Sequence, residues 1–278
     1  MTLLTVNDSP KTFNPGLAVA SRLEAFARLS SDDRAALAQL GRNHRFVDAR
    51  RDVIAEGDCP RHVHLLLEGW ACRYKTLPDG KRQIVGLFIP GDFCDLNIYI
   101  LNHMDHSIGA ITRVKVAMIG PDAMSALTVD RPRITQALWW HVLVSSAIQR
   151  EWMLSLGQRS AYERLGHLLI ELYLRLRVVG RAHDGQCDFP LTQNDLADAT
   201  GLTAVHVNRT LQDLRRDGLI ELERRQLQIL KLDRLMEVCM FNPNYLHVDH
   251  EGSMVRLTGA TAAFRSPGGS ISLPPSAC

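Results

Sequence analysis

The residues VHVNRTLQDLRR, 205–216, place an unusual set of hydrogen-bond donors at helical spacing. At about 100° per residue, Val207, Leu211 and Leu214 gather on one side of a helix. Val205, Arg209, Gln212 and Arg216 gather opposite, with His206 and Asn208 on the two flanks. A solvated helix face usually carries Glu and Lys. This one carries guanidinium, amide and imidazole groups, which donate to base edges and phosphates. Just upstream, LTQNDLADATGL reads as a second, shorter helix ending at Gly201, where the chain must turn sharply. Thr192 and Thr203 each precede a helical run and can cap its free amides. With Gln193 they complete the candidate DNA contacts on this helix pair. The same pattern also fits an ordinary amphipathic pair; the donor-rich outer face favours the major groove of duplex DNA.

Three other groupings could do chemistry. His62, His64 and Glu68 have the HxHxxxE spacing of a cupin metal site, and strand alternation points both imidazoles the same way. The second cupin motif needs another His after a PxG-like turn, and PGDFCDLN has none. The competing reading is a strand with His62 and His64 facing out and Val63, Leu65 and Leu67 facing in. His103, Met104 and His106 form a loop cluster that reads as solvated rather than metal-binding. The cysteines, at 59, 72, 94, 187, 239 and 278, form no CxxC pair, and Cys187 falls in what reads as an exposed loop. Free thiols in a reduced cytoplasm are the simplest expectation. No metal or cofactor is expected.

The elements that position these residues follow from composition and period. The 278 residues suffice for two cores, and 46% apolar with 22% charged is globular. A net charge of +2 is too small for a non-specific nucleic-acid coat, so any DNA contact must rest on local placement. No apolar run reaches the roughly 20 residues of a membrane span, and MTLLTVNDSPKTFNP lacks the pattern of a secretory signal. Residues 1–16 read as mobile. Short helices are expected over 17–29 and over 31–41, the second capped by Ser31. From 43 to 120 short alternating strands are punctuated by Gly57, Gly69, Gly80 and Gly91, with a hairpin at Asp79-Gly80, as in a jelly roll. Pro121 opens a short helix, and a long one runs from near Pro132 to about 157. Along it Ile134, Leu138, His141, Ser145, Ile148 and Trp152 repeat at three- and four-residue steps, beside a second stripe of Trp140, Leu143, Ala147 and Leu154. A helix apolar on two faces needs two partners. One is the sandwich and the other is the same helix of a second copy, with the first stripe as the homodimer seam. A further helix covers 160–177, a loop 178–190, and a β-hairpin 219–223 and 226–232, linked by Arg224-Arg225. Helix, helix and hairpin make a winged helix whose two linking arginines would lie near phosphate. The expected boundaries are therefore 17–130 for a sensor domain, 131–157 for the dimer helix, 158–240 for the winged helix, and 241–278 for a disordered tail.

The winged helix, together with VIAEGD (53–58), LLLEGWACRY (65–74) and PDGKRQIVGLFIPGDF (78–93), resembles the cyclic-AMP receptor / fumarate-nitrate regulator (Crp/Fnr) superfamily of bacterial transcription factors over roughly residues 20–240. The resemblance implies an α+β fold with an N-terminal jelly-roll sensor, a long dimerisation helix and a C-terminal winged helix-turn-helix. It implies a cytoplasmic, non-enzymatic homodimer on an inverted-repeat operator in double-stranded DNA, with RNA polymerase as a partner. Arg209 matches the family's base-reading arginine, while Val205 stands where many relatives carry Glu. In relatives that bind cyclic AMP a Glu meets the ribose and an Arg-Ser pair meets the phosphate. The matching pocket positions here are Leu96, beside Asn97, and His106, beside Ser107. Both charged contacts are lost, so the sensor is expected not to use cyclic AMP, leaving another small-molecule effector or none. No cysteine precedes Cys59, which removes the N-terminal cluster of the iron–sulfur relatives. The reading from a different class is a sensor whose helix pair binds protein.

Overall fold

The computed structural model describes residues 15–24, 28–96 and 103–247. The expected mobile start falls almost wholly outside them, as do Asn97 and residues 248–278. Helices α1 (Pro15–Glu24) and α2 (Ser31–Gln39) open the chain. Ser30, not Ser31, caps α2. Its hydroxyl accepts from the Asp33 amide at 3.1 Å, and the Asp33 carboxylate accepts from the Ser30 amide at 3.0 Å. The sequence reading was one residue late because both serines satisfy the same rule; the acid three positions on selects Ser30.

Seven strands follow: β1 (His44–Val47), β2 (Asp52–Ile54), β3 (Val63–Glu68), β4 (Ala71–Thr76), β5 (Arg82–Phe88), β6 (Ser107–Ala110) and β7 (Val114–Ile119). They form two antiparallel sheets, ordered β1-β7-β3 and β2-β6-β4-β5, around a core that includes Leu66, Phe88, Ile108 and Val116. Gly80 turns the β4–β5 hairpin in left-handed backbone, φ 86°. Strand β3 departs from the alternation expected of it. Val63 to Leu67 are all buried, His64 among them. Val63, Leu65 and Leu67 meet a helical layer that contains Val19, Leu23, Leu37 and Ile134, while Leu66 faces the other sheet. A strand covered on both sides has no polar face, so His64 does not point outward.

Helix α3 (Pro121–Thr128) leads into α4 (Pro132–Gln158), 27 residues long. The stripe expected to form the dimer seam is instead turned into its own subunit. Ile134, Leu138, His141, Ile148 and Trp152 are buried against the sandwich and the following domain, and Ser145 is half-buried. The large exposed apolar side chains of α4 are Trp139, Leu143, Met153, Leu154 and Leu156. The second expected stripe is divided: Ala147 is buried and Trp140 half-buried against the core, while Leu143 and Leu154 stand exposed. Among the described residues no helix is long and apolar enough to cross a membrane.

The C-terminal part contains α5 (Ala161–Val178), β8 (Ala182–His183), β9 (Gln186–Asp188), α6 (Gln193–Thr200), α7 (Ala204–Arg216), β10 (Ile220–Glu223), β11 (Gln226–Ile229) and α8 (Leu232–Val238), then a 3-10 turn over Pro243–Leu246. Three expectations change here. Residues 178–190 are not simply a loop: β8 and β9 extend the wing sheet to the order β10-β11-β9-β8. Cys187 consequently lies buried in β9, and burial pushes its thiol up to about 12. The wing strand stops at Ile229, and Leu232 begins a helix. The segment 241–247 is packed rather than disordered, because Phe241 and Tyr245 lie against the His167 ring.

A buried ion network joins these parts. Asp92, in the turn after β5, pairs with Arg22 of α1 at 3.1 Å and Arg175 of α5 at 2.8 Å. Arg175 also donates to the Leu87 carbonyl at 2.7 Å and pairs with Glu171 at 3.2 Å. Glu171 in turn accepts from the Trp152 indole and the Tyr245 hydroxyl, each at 3.0 Å. Burial alone would raise the Asp92 carboxyl, but Arg22 and Arg175 hold it below its ordinary value. Nearby, burial pushes the His141 imidazole down to about 4. Burial, then Arg159, pushes that of His167 to about 3. An unfolded histidine titrates near 6.5. Below that pH the unfolded chain therefore binds protons that the folded chain refuses. Stability fully present above pH 6.5 is lost as pH falls toward 4. Urea unfolding at stepped pH should show this decline, and His141→Gln with His167→Gln should flatten it.

Candidate nucleic-acid interface

Helices α6 and α7 are shaped by caps and one glycine. Thr192 caps α6: its hydroxyl accepts from the Asp195 amide at 3.2 Å and donates to the Asp195 carboxylate at 2.7 Å. Gly201 ends the helix in left-handed backbone, φ 64° and ψ 29°. Thr203 then caps α7 by accepting from the His206 amide at 3.2 Å. Leu196 and Ala197 of α6, and Val207, Thr210, Leu211 and Leu214 of α7, are buried. Thr210 satisfies its hydroxyl by donating to the His206 carbonyl at 2.9 Å.

The opposite face of α7 stands in solvent. Val205 is 82% exposed, and His206, Arg209, Gln212 and Arg216 are exposed, with Asn208 half-buried. Arg216 is held by Asp213 at 2.6 Å, one turn back. Arg209 pairs with no carboxylate among the described residues, so its guanidinium is free to meet an acceptor from outside. Gln193 lies exposed in the first turn of α6. Thr192 and Thr203 spend hydroxyl capacity on their caps, which leaves them a positioning part as well as any phosphate contact. Arg224 and Arg225 make the wing turn with φ 48° and 64°, both left-handed and neither glycine. They line a cleft of about 300 Å³ that also touches Trp70 and Thr112 of the sensor, so the wing arginines stand at the domain seam.

The sensor holds a cavity of about 310 Å³ between the sandwich and α4. Leu96 and His106 line it. Ser107 does not; its hydroxyl accepts from the Glu56 amide at 2.9 Å. Sequence reasoning missed Arg73 and Lys75, which β4 directs into the cavity. Their alternation in ACRYKT was visible, but which face of β4 meets α4 is decided by sheet packing. Arg73 donates Nε to His106 Nε2 at 3.1 Å and Nη2 to the Cys94 carbonyl at 3.1 Å, over the Phe88 ring. A ring nitrogen that accepts from a guanidinium belongs to a neutral imidazole. Burial, then Arg73, lowers the His106 imidazole accordingly.

The cupin grouping is not assembled. His64 Nδ1 bonds Asp95 at 2.8 Å, and Glu68 pairs with Lys115 at 3.5 Å. His103 bonds Cys59 Sγ at 3.0 Å, apart from His106, which bonds Asp105.

Residues 163–238 match the model of a Crp-like helix-turn-helix domain, and residues 44–130 that of a cyclic nucleotide-binding domain. The chain is 32% identical over 215 residues to the transcriptional activator protein FnrL of Cereibacter sphaeroides, covering 76% of this chain and 86% of the relative. It is 33% identical over 181 residues to the nitrogen fixation regulation protein FixK of Bradyrhizobium diazoefficiens, covering 65% and 75%. Among solved structures it superposes on FixK2 from Bradyrhizobium japonicum with a TM-score of 0.63 at 24% identity, over 70% of this chain and 96% of that one. The curated relatives are transcription regulators.

The turn between α6 and α7 can be tested alone. A Cβ on Gly201 would sit 3.2 Å from Leu156 and in left-handed backbone. Gly201→Ala should therefore cost about 1–2 kcal/mol, read as a lower urea midpoint with unchanged slope.

Proposed function

The chain belongs to the Crp/Fnr family of transcription regulators, and on that premise we propose that it binds an inverted-repeat operator as a homodimer in the cytoplasm, without cyclic AMP. The single observation that carries this reading is the face of α7. Its apolar side is buried while Val205, His206, Arg209, Gln212 and Arg216 stand outward, with the Arg209 guanidinium uncommitted. Arg209 reads a guanine through two hydrogen bonds. Val205 cannot accept from a cytosine amine but can touch a thymine methyl, so the half-site differs from those of relatives with Glu there. Gln193, Asn208 and His206 supply further base or phosphate contacts. Thr192, Thr203 and the wing arginines, Arg224 and Arg225, act on phosphate where their caps and the domain seam leave them reach.

The dimer reading rests on the outer face of α4. Trp139, Leu143, Ser146, Arg150 and Met153 follow one another in steps of four and three, the spacing of a coiled-coil seam. Trp139 is 66% exposed, Leu143 59% and Met153 72%, a row of apolar surface that a lone subunit would leave in water. This seam replaces the buried stripe. Independence from cyclic AMP is supported by Leu96 at the place of a ribose-binding carboxylate. It is supported further by the engagement of Arg73 with His106 and the Cys94 carbonyl. The pocket remains able to take another small effector. We assign no catalytic step, since His64, the centre of the cupin reading, is committed to Asp95. RNA polymerase is the partner such a regulator meets at a promoter.

Selection from a random duplex pool gives the operator. Arg209→Ala should then weaken binding by about 1–3 kcal/mol and relax the preference at one base pair. Affinity should fall steeply with salt and be unmoved by added cyclic AMP. Shallow salt dependence with tight binding to a protein would support the protein-binding alternative. Leu143→Glu should convert the dimer to a monomer in sedimentation and abolish binding to the paired operator.

A further inference from the structure

Helix α6 carries little of the outward donor face, yet it is anchored at both ends. Near its start, Asp195 is 1% exposed, closes its own capping box, and accepts both terminal nitrogens of Arg50 at 2.6 and 2.9 Å. One turn on, Asp198 accepts from Arg82 at 2.7 and 2.8 Å, and Arg82 also lies 3.4 Å from Asp195. Arg50, in left-handed backbone at φ 65° between β1 and β2, and Arg82, at the start of β5, both belong to the sensor. At the other end of α6, Arg164 of α5 donates to the Thr200 carbonyl at 2.7 Å. The same guanidinium reaches the carbonyls of Ser155, Leu156 and Arg159, at 3.0, 3.1 and 2.9 Å, where α4 ends.

That end is where rotation must be controlled. Arg159, which closes α4, is extended, with φ −84° and ψ 142°, so no continuous helix transmits the direction of α4 to α5. Apolar contacts across the domains, such as Trp70 against Phe189, are non-directional and tolerate small rotations. Two-nitrogen guanidinium–carboxylate pairs do not, because both bonds are lost together. None of the three arginines covers α7, whose outer face stays in solvent, so the arrangement holds the helix pair with its reading face free.

From this we infer that Arg50, Arg82 and Arg164 are positioning residues that clamp α6, fix the angle at which each subunit presents α7, and so set the half-site spacing the dimer accepts. The inference rests on the operator reading above.

The test uses the full-length dimer and duplexes that carry the selected half-sites at the selected spacing, or one base pair closer or farther apart. A duplex with one half-site serves as control. Wild type should prefer the selected spacing by about tenfold or more, and Arg82→Lys, which keeps the charge but not the two-nitrogen contact, by less. Arg82→Gln and Asp198→Asn should bind that duplex about three- to tenfold more weakly and lose most of the preference. Their affinity for the single half-site and their dimer mass should not change. Spacing preference retained in both variants, with a sharp wild-type optimum, overturns the clamp alone. A wild-type protein that selects no duplex overturns the operator reading, and the clamp with it.

Discussion

Helix α4 has to be apolar on two opposite faces, and the rest of the molecule is arranged around how those faces are satisfied. Its inner face closes the sandwich through Ile134 and Leu138, walls the sensor cavity through His141 and Ser145, and reaches the DNA-binding part through Trp152. The outer face, with Trp139, Leu143 and Met153, stays exposed and carries the proposed seam. One element therefore touches the cavity, the neighbouring domain and the proposed seam. A shift at any of the three is felt at the others through a rigid rod, since buried side chains at helical spacing move together.

Charge then supplies the direction that apolar contact lacks. Asp92 sits between Arg22 and Arg175, and Glu171 between Arg175, Trp152 and Tyr245, with every partner buried or nearly so. Replacing such pairs with apolar groups is often neutral for stability, so the network is better understood as specifying one mutual arrangement of α1, α4, α5 and the C-terminal turn. The arginines around α6 apply the same logic nearer the surface. The ionic bonds decide orientation, while the shared apolar core, which runs from Trp70 and Leu87 to Leu196 and Leu214, supplies most of the cohesion.

Much of this was legible in order along the chain. Thr192, Gly201 and Thr203 bracket α6 and α7 because caps and left-handed turns are local events that few residue types satisfy. The outward set at Val205, Arg209 and Gln212 was legible because a buried Val207, Leu211 and Leu214 leaves no other side for them. The jelly roll was legible from glycine-punctuated alternation. The misplacements share one cause. Strand β3 broke the alternation because helices cover its second face. Residues 178–190 hid two short strands, of which β8 pairs with β9 and β9 with β11, some forty residues downstream. Arg73 and Lys75 entered the cavity because sheet packing chose that face of β4.

What the sequence determined by itself was therefore most of the inventory: the helices through α7, the sandwich and wing strands in outline, and which side chains share a face. Those are short-range matters of period, capping and turn chemistry. Which of two equivalent faces turns inward was decided only by tertiary structure, and α4 shows it, for both of its stripes have the same spacing and only the sandwich distinguishes them. The same holds for Arg50 and Asp195, 145 residues apart. A pair so distant leaves no periodic trace, and it exists only once two independently legible domains have been brought into contact.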